Sequence, residues 1–327
     1  MQSHVCDFRT LECIRLIVRP LLPVAVFALA MHLGARFGCL PAPRPTLDVD
    51  RTILLQKAEA SRAPQDAEIV LLGDSSCLMD VSALRLSERL GRPVLNLGTL
   101  SYLDFSANAL LLRNYAQANP GRLRAVVLLM HPEGLRLSHV DAWQNHALRC
   151  FLDGTDFQPR ERLSDWVAGV LGAHIFQGRV LARTLPRPLP GSFGRRYGFT
   201  DDLENYLQQN RGSAIDPESK PATGRVEYRL AGYFKSAGVS FRQTVPPAVK
   251  LFVAIAPLPE QFAGPAYPAR HAELLRQWSE WLKADAALTN LPAVLPDSLF
   301  AQKTHLNEAG QLRYSEDLAQ ALKPRLP

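Results

Sequence analysis

The sequence carries no CxxC pair among its five cysteines, Cys6, Cys13, Cys39, Cys77 and Cys150, and their density is far below that of a disulfide scaffold. A stapled miniprotein and a paired-cysteine zinc module are thereby excluded, while the redox compartment is left open. The eight histidines are dispersed, and His131, His139 and His146 stand at intervals unlike the usual zinc motifs. No metal and no cofactor are expected. The chain also lacks the glycine-rich run and lysine of a P-loop and the spacing of a dinucleotide fingerprint, which argues against a phosphate-binding domain. Basic residues give a formal net charge of +6, yet they are scattered, with one loose cluster over residues 183–198. A nucleic-acid groove needs a concentrated basic stripe with interleaved aromatics, so no nucleic-acid partner is expected. Nor is the chain poor in apolar residues: 47% hydrophobic and 21% charged is ordinary for one large globular domain or two small ones.

What is present begins with a mostly apolar stretch, LIVRPLLPVAVFALAMHLG, over residues 16–34. A helix of that length would cross a hydrocarbon core of about 30 Å. Arg19 lies near one end, where it can snorkel, and Pro23 is tolerated in the first turns of a helix. Arg9, Arg15 and Arg19 precede the apolar center and only Arg36 follows closely, which orients the N-terminus toward the cytoplasm. Three readings compete: an uncleaved anchor, a cleaved signal peptide and a buried core helix. HLGARFGCL lacks a convincing small-x-small cleavage site, and Arg36 sits badly for a lipoprotein-type cysteine at Cys39, so the anchor is the reading carried forward. Residues 1–40 would then be a cytoplasmic tip and a single transmembrane helix in the inner membrane. Residues 41–65, beginning with the proline-rich LPAPRPTLDVD, read as a tether, and the rest of the chain would be periplasmic or otherwise extracytoplasmic.

From residue 66 onward, apolar runs alternate with helical periodicity. AEIVLLG, PVLNLG, LRAVVLLMHPEG and VKLFVAIAPLPE read as strands, and VSALRLSERLG, DFSANALLLRNYAQANPG, ARHAELLRQWSEWLKAD and NEAGQLRYSEDLAQALK as helices. Such alternation predicts an α/β domain with a doubly wound, mostly parallel sheet. Ligands bind beyond the carboxyl ends of such strands. That rule selects the loops 73–77, 98–102, 131–135 and the one from Pro257 onward, with KTHLNEAG as a fifth segment. Residues 155–245 break the alternation and read as a long insertion, either a lid or a partner surface; RLSDWVAGVLGAHIF is a helical candidate within it.

The turn GDSS follows the first strand and opens a helix. A serine there has its hydroxyl near exposed backbone N–H groups and the positive end of the helix dipole, which suits either a nucleophile or an N-cap. LLGDSS, then LNLGTLSY one helix and strand later, then THLNEAG near the end of the chain together resemble the SGNH (GDSL-like) hydrolase superfamily, and within it the membrane-anchored bacterial cell-envelope branch. The resemblance covers roughly residues 66–135 and 249–325. It implies a three-layer, flavodoxin-like α/β fold, Ser75 as nucleophile and oxyanion donor through its own N–H, Gly98 as the next oxyanion donor, and His305 as general base. An imidazole that takes the serine proton makes a poor nucleophile competent, and paired N–H donors stabilize the tetrahedral oxyanion.

The family pattern is not complete. Gln302 stands three residues before His305, where the family has Asp. A neutral amide can orient the imidazole but cannot stabilize imidazolium as a carboxylate does. Asp297 or a backbone carbonyl is the substitute weighed for that role. The family's third-block Asn is also absent; His131 either takes that corner of the pocket or satisfies a turn carbonyl. Asp74 reads as a turn-stabilizing carboxylate, Ser76 as the fallback nucleophile, Cys77 as a buried small residue and Asn307 as a helix cap. Tyr102 and Glu133 are substrate-contact candidates by loop position alone. The function expected is that of a serine esterase or O-acyltransferase acting on an extracytoplasmic polysaccharide or cell-wall polymer. A transferase would have a multi-pass membrane acyltransferase as a natural partner. The alternative is a catalytically impaired binding or assembly subunit of a polysaccharide-modification complex.

Overall fold

The structure, a computed structural model, describes residues 10–39, 49–136, 140–155, 203–216 and 228–327. The chain divides into two compact units, Met1–Leu47 with Gln158–Arg195, and Asp48–Phe157 with Arg196–Pro327.

In the first unit, α1 (Thr10–Arg36) is a continuous helix that contains Pro20 and Pro23. From Val18 to Leu33 its apolar side chains are largely exposed, among them Leu22, Val26, Phe27 and Leu29. Among the described residues no helix is long and apolar enough to cross a membrane. The expected transmembrane span over residues 16–34 is therefore not shown by the described residues. Arg9, His139, the helical candidate RLSDWVAGVLGAHIF and the whole basic cluster over residues 183–198 lie outside the described residues.

In the second unit, α2 (Val49–Arg62) occupies most of the segment expected to be a tether. It is a packed helix because Ile53, Leu54, Lys57 and Ala58 recur at helical spacing and are all buried. The proline-rich residues ahead of it mask that periodicity. There follow β1 (Ile69–Gly73), α3 (Ser75–Asp80), α4 (Ala83–Leu90), β2 (Val94–Asn96), α5 (Ser106–Ala118), β3 (Ala125–Met130), α6 (Pro132–Arg136) and α7 (Ala142–Asp153). Next come α8 (Leu203–Gln209), α9 (Tyr233–Thr244), β4 (Lys250–Ile255), α10 (Tyr267–Leu282) and β5 (Ala286–Ala287). An antiparallel pair, β6 (Phe300–Gln302) and β7 (His305–Leu306), then leads into α11 (Glu308–Leu322).

The main sheet has five strands in the order β2-β1-β3-β4-β5, every pairing parallel. The expected α/β sheet is thus observed. Strands β1 and β3 are buried along their whole length, which explains why each reads as an unbroken apolar run rather than an alternating one. From β1 the chain moves outward to β2, then returns to the other side of β1 with β3. The two strand ends at this reversal form the crevice where doubly wound sheets bind ligands.

Residues 155–245 are not purely a covering insertion. α9 lies within the sheet domain, where Phe234 and Phe241 join Phe105 and Trp278 in an aromatic cluster with ring centroids 5.4–5.6 Å apart. α8 and the turn after it reach the carboxyl end of β2, where the Asn96 N–H donates to the Arg211 carbonyl.

Candidate active site

At the carboxyl end of β1 the backbone turns at Gly73, whose φ is +148°. A Cβ there would lie 1.7 Å from the Leu129 carbonyl oxygen of the adjacent strand, so only glycine lets the two strands run side by side into the turn. Asp74 then caps α3: its Oδ1 accepts the Ser76 N–H at 3.0 Å, and its Oδ2 accepts the His131 N–H at 2.9 Å, tying the end of β1 to that of β3. Burial pushes the Asp74 pKa up to about 6, against the backbone N–H donors of His131 and Ser76. Its role is the turn-stabilizing one its sequence position suggests.

Ser75 is the first residue of α3. Its Oγ lies 2.9 Å from His305 Nε2 and 2.7 Å from the Ser101 hydroxyl. His305 Nδ1 lies 2.7 Å from Asp216 Oδ2. Protonated at Nδ1, the ring donates to the carboxylate and leaves Nε2 free to accept the serine proton, which is the arrangement a serine nucleophile needs. Asp216 was not singled out from the sequence because its segment, NRGSAID, has no usable periodicity and falls inside the region read as an insertion.

Gln302 lies beside His305, as expected, and also meets Asp216. Its Nε2 donates to the same Asp216 Oδ2, and its 2.8 Å separation from His305 Nδ1 brings two donors together. With Nδ1 protonated, the amide's hydrogen bond goes to the carboxylate that the ring also binds. Asp297 is not the substitute acid: its Oδ1 accepts the Gln261 N–H at 3.2 Å. Burial works to lower the His305 pKa, but the Asp216 hydrogen bond and the charges of Asp80, Asp216 and Asp74 outweigh it, leaving the imidazole above its usual value.

Several buried contacts deliver these groups from distant parts of the chain. The Lys57 ammonium donates to the Asn96 and Gly212 carbonyls. Gln311 Nε2 bridges the Met79 and Ala214 carbonyls at 2.6 Å each, and the Ala214 N–H donates to the Leu78 carbonyl at 2.9 Å. The turn bearing Asp216 is thus fastened to α2, α3 and α11. On the histidine side, the Ser76 hydroxyl donates to the Thr304 carbonyl at 3.2 Å, and Asp80 Oδ1 accepts the Leu306 N–H at 2.8 Å. Ser76 is fully buried and committed to this contact, which removes it as an alternative nucleophile. Asn307 caps α11 by accepting the Gly310 N–H at 3.0 Å, as its position implies.

Gly98 departs from expectation. Its N–H donates to Asn96 Oδ1 at 2.8 Å, and an added Cβ would meet the backbone N of Leu78 at 2.7 Å. It is a close-packing glycine beneath α3 with its donor already engaged. Ser101, in the loop already selected by strand-end position, is the second hydroxyl at the site. His131 is buried, its Nδ1 accepting the Glu133 N–H at 3.1 Å, while Nε2 has no partner among the described residues. Burial lowers its pKa to about 3, so the ring stays neutral. Because its Nδ1 accepts an N–H and Nε2 meets no acceptor among the described residues, the ring does not satisfy a turn carbonyl. Cys77 is buried as expected, and burial pushes its thiol pKa well up. Tyr102 donates its hydroxyl to Asp50 of α2, and Glu133 stands 3.8 Å from Lys303. Among the described residues no cluster of His, Cys, Asp and Glu could hold a metal ion.

No family model matches the chain, and no curated protein does.

Proposed function

We propose that the protein is a serine esterase or O-acyltransferase of the SGNH type, acting on acyl groups of an extracytoplasmic polysaccharide or cell-wall polymer. The observation that carries the chemistry is the hydrogen-bonded chain Ser75, His305, Asp216 at the carboxyl ends of the strands. Ser75 Oγ attacks the acyl carbonyl carbon while His305 Nε2 takes its proton. The tetrahedral intermediate then collapses, the bond to the leaving oxygen breaks, and His305 returns the proton to that oxygen. Water or a sugar hydroxyl next attacks the acyl-enzyme through the same proton route, giving hydrolysis or transfer. The Ser75 N–H and the Ser101 hydroxyl are the donors we assign to the oxyanion, since the Gly98 N–H is occupied.

Gln302 in place of the family's Asp and the absent third-block Asn both favor a binding subunit; Asp216 supplies a counterpart for the first. The polymer substrate and the cell-envelope setting rest on the SGNH resemblance and on α1. We assign α1 to an anchor in the cytoplasmic membrane, with the sheet domain extracytoplasmic and a multi-pass acyltransferase as the partner of a transferase. The exposed apolar side chains of α1 and the arginines ahead of its apolar center support that assignment.

The test is intact-mass analysis after treatment with a fluorophosphonate. One adduct is expected on the parent protein and none on Ser75→Ala or His305→Ala. An unlabeled but folded parent would overturn the esterase reading in favor of a binding subunit.

A further inference from the structure

A cavity of about 110 Å³ opens beside the nucleophile, against Gly73 and Asp74 at the end of β1. Ser101 is part of its wall, and the Ser101 hydroxyl is 2.7 Å from Ser75 Oγ, so the cavity begins one side chain away from the reacting oxygen. The remaining wall is chiefly apolar: Leu100, Phe105, Met130 and Phe234, all buried. Val140 and Tyr233, more exposed, also line it. None of these side chains is used by the catalytic hydrogen bonds. Phe105 and Phe234 are held by the aromatic cluster with Trp278, which makes that side of the wall rigid rather than collapsible.

We propose that this cavity receives the acyl chain of the substrate and restricts it to short acyl groups, about two to five carbons including the carbonyl. This rests on the esterase or acyltransferase reading of Ser75 and names the substrate class of that site. The size follows from scale: an apolar cavity of about 150 Å³ holds benzene, with its six carbons, so about 110 Å³ holds roughly four heavy atoms. The carbonyl carbon and oxygen stay outside, at Ser75. A second feature acts in the same direction. Asn108 lines the cavity, and its buried Oδ1 has no hydrogen-bond partner among the described residues. A short chain leaves space for a water at that oxygen, whereas a longer alkyl chain pressed against it would bury the amide unsatisfied. A polymer hydroxyl as acceptor needs only the open side of the site, so the cavity selects the acyl donor and not the sugar.

Two readouts keep the inference separate from the catalytic reading. The first is the specificity of the full-length protein toward p-nitrophenyl esters from acetate to octanoate. kcat/KM should be highest at or below the five-carbon ester and fall roughly tenfold or more by octanoate, because a pocket filled by a short chain has no room for further methylenes. Met130→Ala, which enlarges the wall without touching the catalytic groups, should shift the preference toward longer chains. The second needs no turnover. In Ser75→Ala labeled with [methyl-13C]methionine, the Met130 methyl resonance, assigned through Met130→Leu, should move on addition of butyramide and not of octanamide. A flat ester profile, or a Met130 resonance that ignores butyramide or responds equally to octanamide, overturns the cavity assignment. Absence of fluorophosphonate labeling together with a selective Met130 shift would instead retain the short-chain cavity and discard catalysis by Ser75.

Discussion

Asp216 and Gln302 touch the same oxygen neighborhood from opposite chemical positions, one as the acceptor of the imidazole proton and the other as a donor that steadies the acceptor. Their substitutions should therefore differ in size. Asp216→Asn is expected to lower kcat by about four orders of magnitude, since an amide permits the wrong imidazole tautomer. Gln302→Ala loses one hydrogen bond to a charged group and should cost roughly ten- to a hundredfold. Single-turnover acylation rates measured on both variants check the order, and equal losses would refute the division of roles. The pH profile belongs to the same pair. His305 acts as a base only when neutral, and its pKa is raised above the ordinary imidazole value of 6.5. Activity should thus fall as pH decreases through a midpoint above 6.5. The stability that the ring gains from Asp216 has the opposite slope: it is fully present below the unfolded pKa and is lost as pH rises through the folded one.

Among the elements, α3 and the β6/β7 pair meet through Asp80, whose Oδ1 holds the Leu306 N–H while Oδ2 is buried without a partner among the described residues. Burial raises the Asp80 pKa to about 7, against the attraction of His305 and the Leu306 N–H. A carboxyl with a raised folded pKa stabilizes fully below its unfolded value of 3.8, and that contribution is lost as pH climbs toward about 7. Asp80→Asn keeps an acceptor for Leu306 and removes the ionization. Its Tm should match the parent near pH 4 and exceed it at pH 8; parallel Tm curves would contradict this account. The sequence disclosed the strands because each is short, apolar and followed by turn residues, and it disclosed Ser75 and His305 through LLGDSS and THLNEAG, the motifs that carry the SGNH resemblance. It concealed α2, whose buried face is interrupted by Lys57 and Gln56 and preceded by prolines. It concealed Asp216 more thoroughly. The carboxylate reaches His305 through backbone contacts of Gly212 and Ala214 with Lys57, Leu78 and Gln311, and long-range contacts of that kind leave no local period.

At the scale of the whole molecule, α1 carries the proposed attachment and the sheet domain the proposed chemistry. Full-length protein is expected to stay with the membrane fraction through alkaline carbonate extraction, while a chain beginning at residue 45 is released; equal release of both would remove α1 as the anchor. The three members of the proposed catalytic chain lie far apart in sequence, at positions 75, 216 and 305, and each is held by a different part of the fold. A partly folded chain therefore presents a serine with ordinary alcohol reactivity. Because activation arrives only when all three segments have docked, covalent labeling of Ser75 can be read as a clock: sampled during refolding, the rate at which label accumulates reports when the last long-range contact of the domain closes.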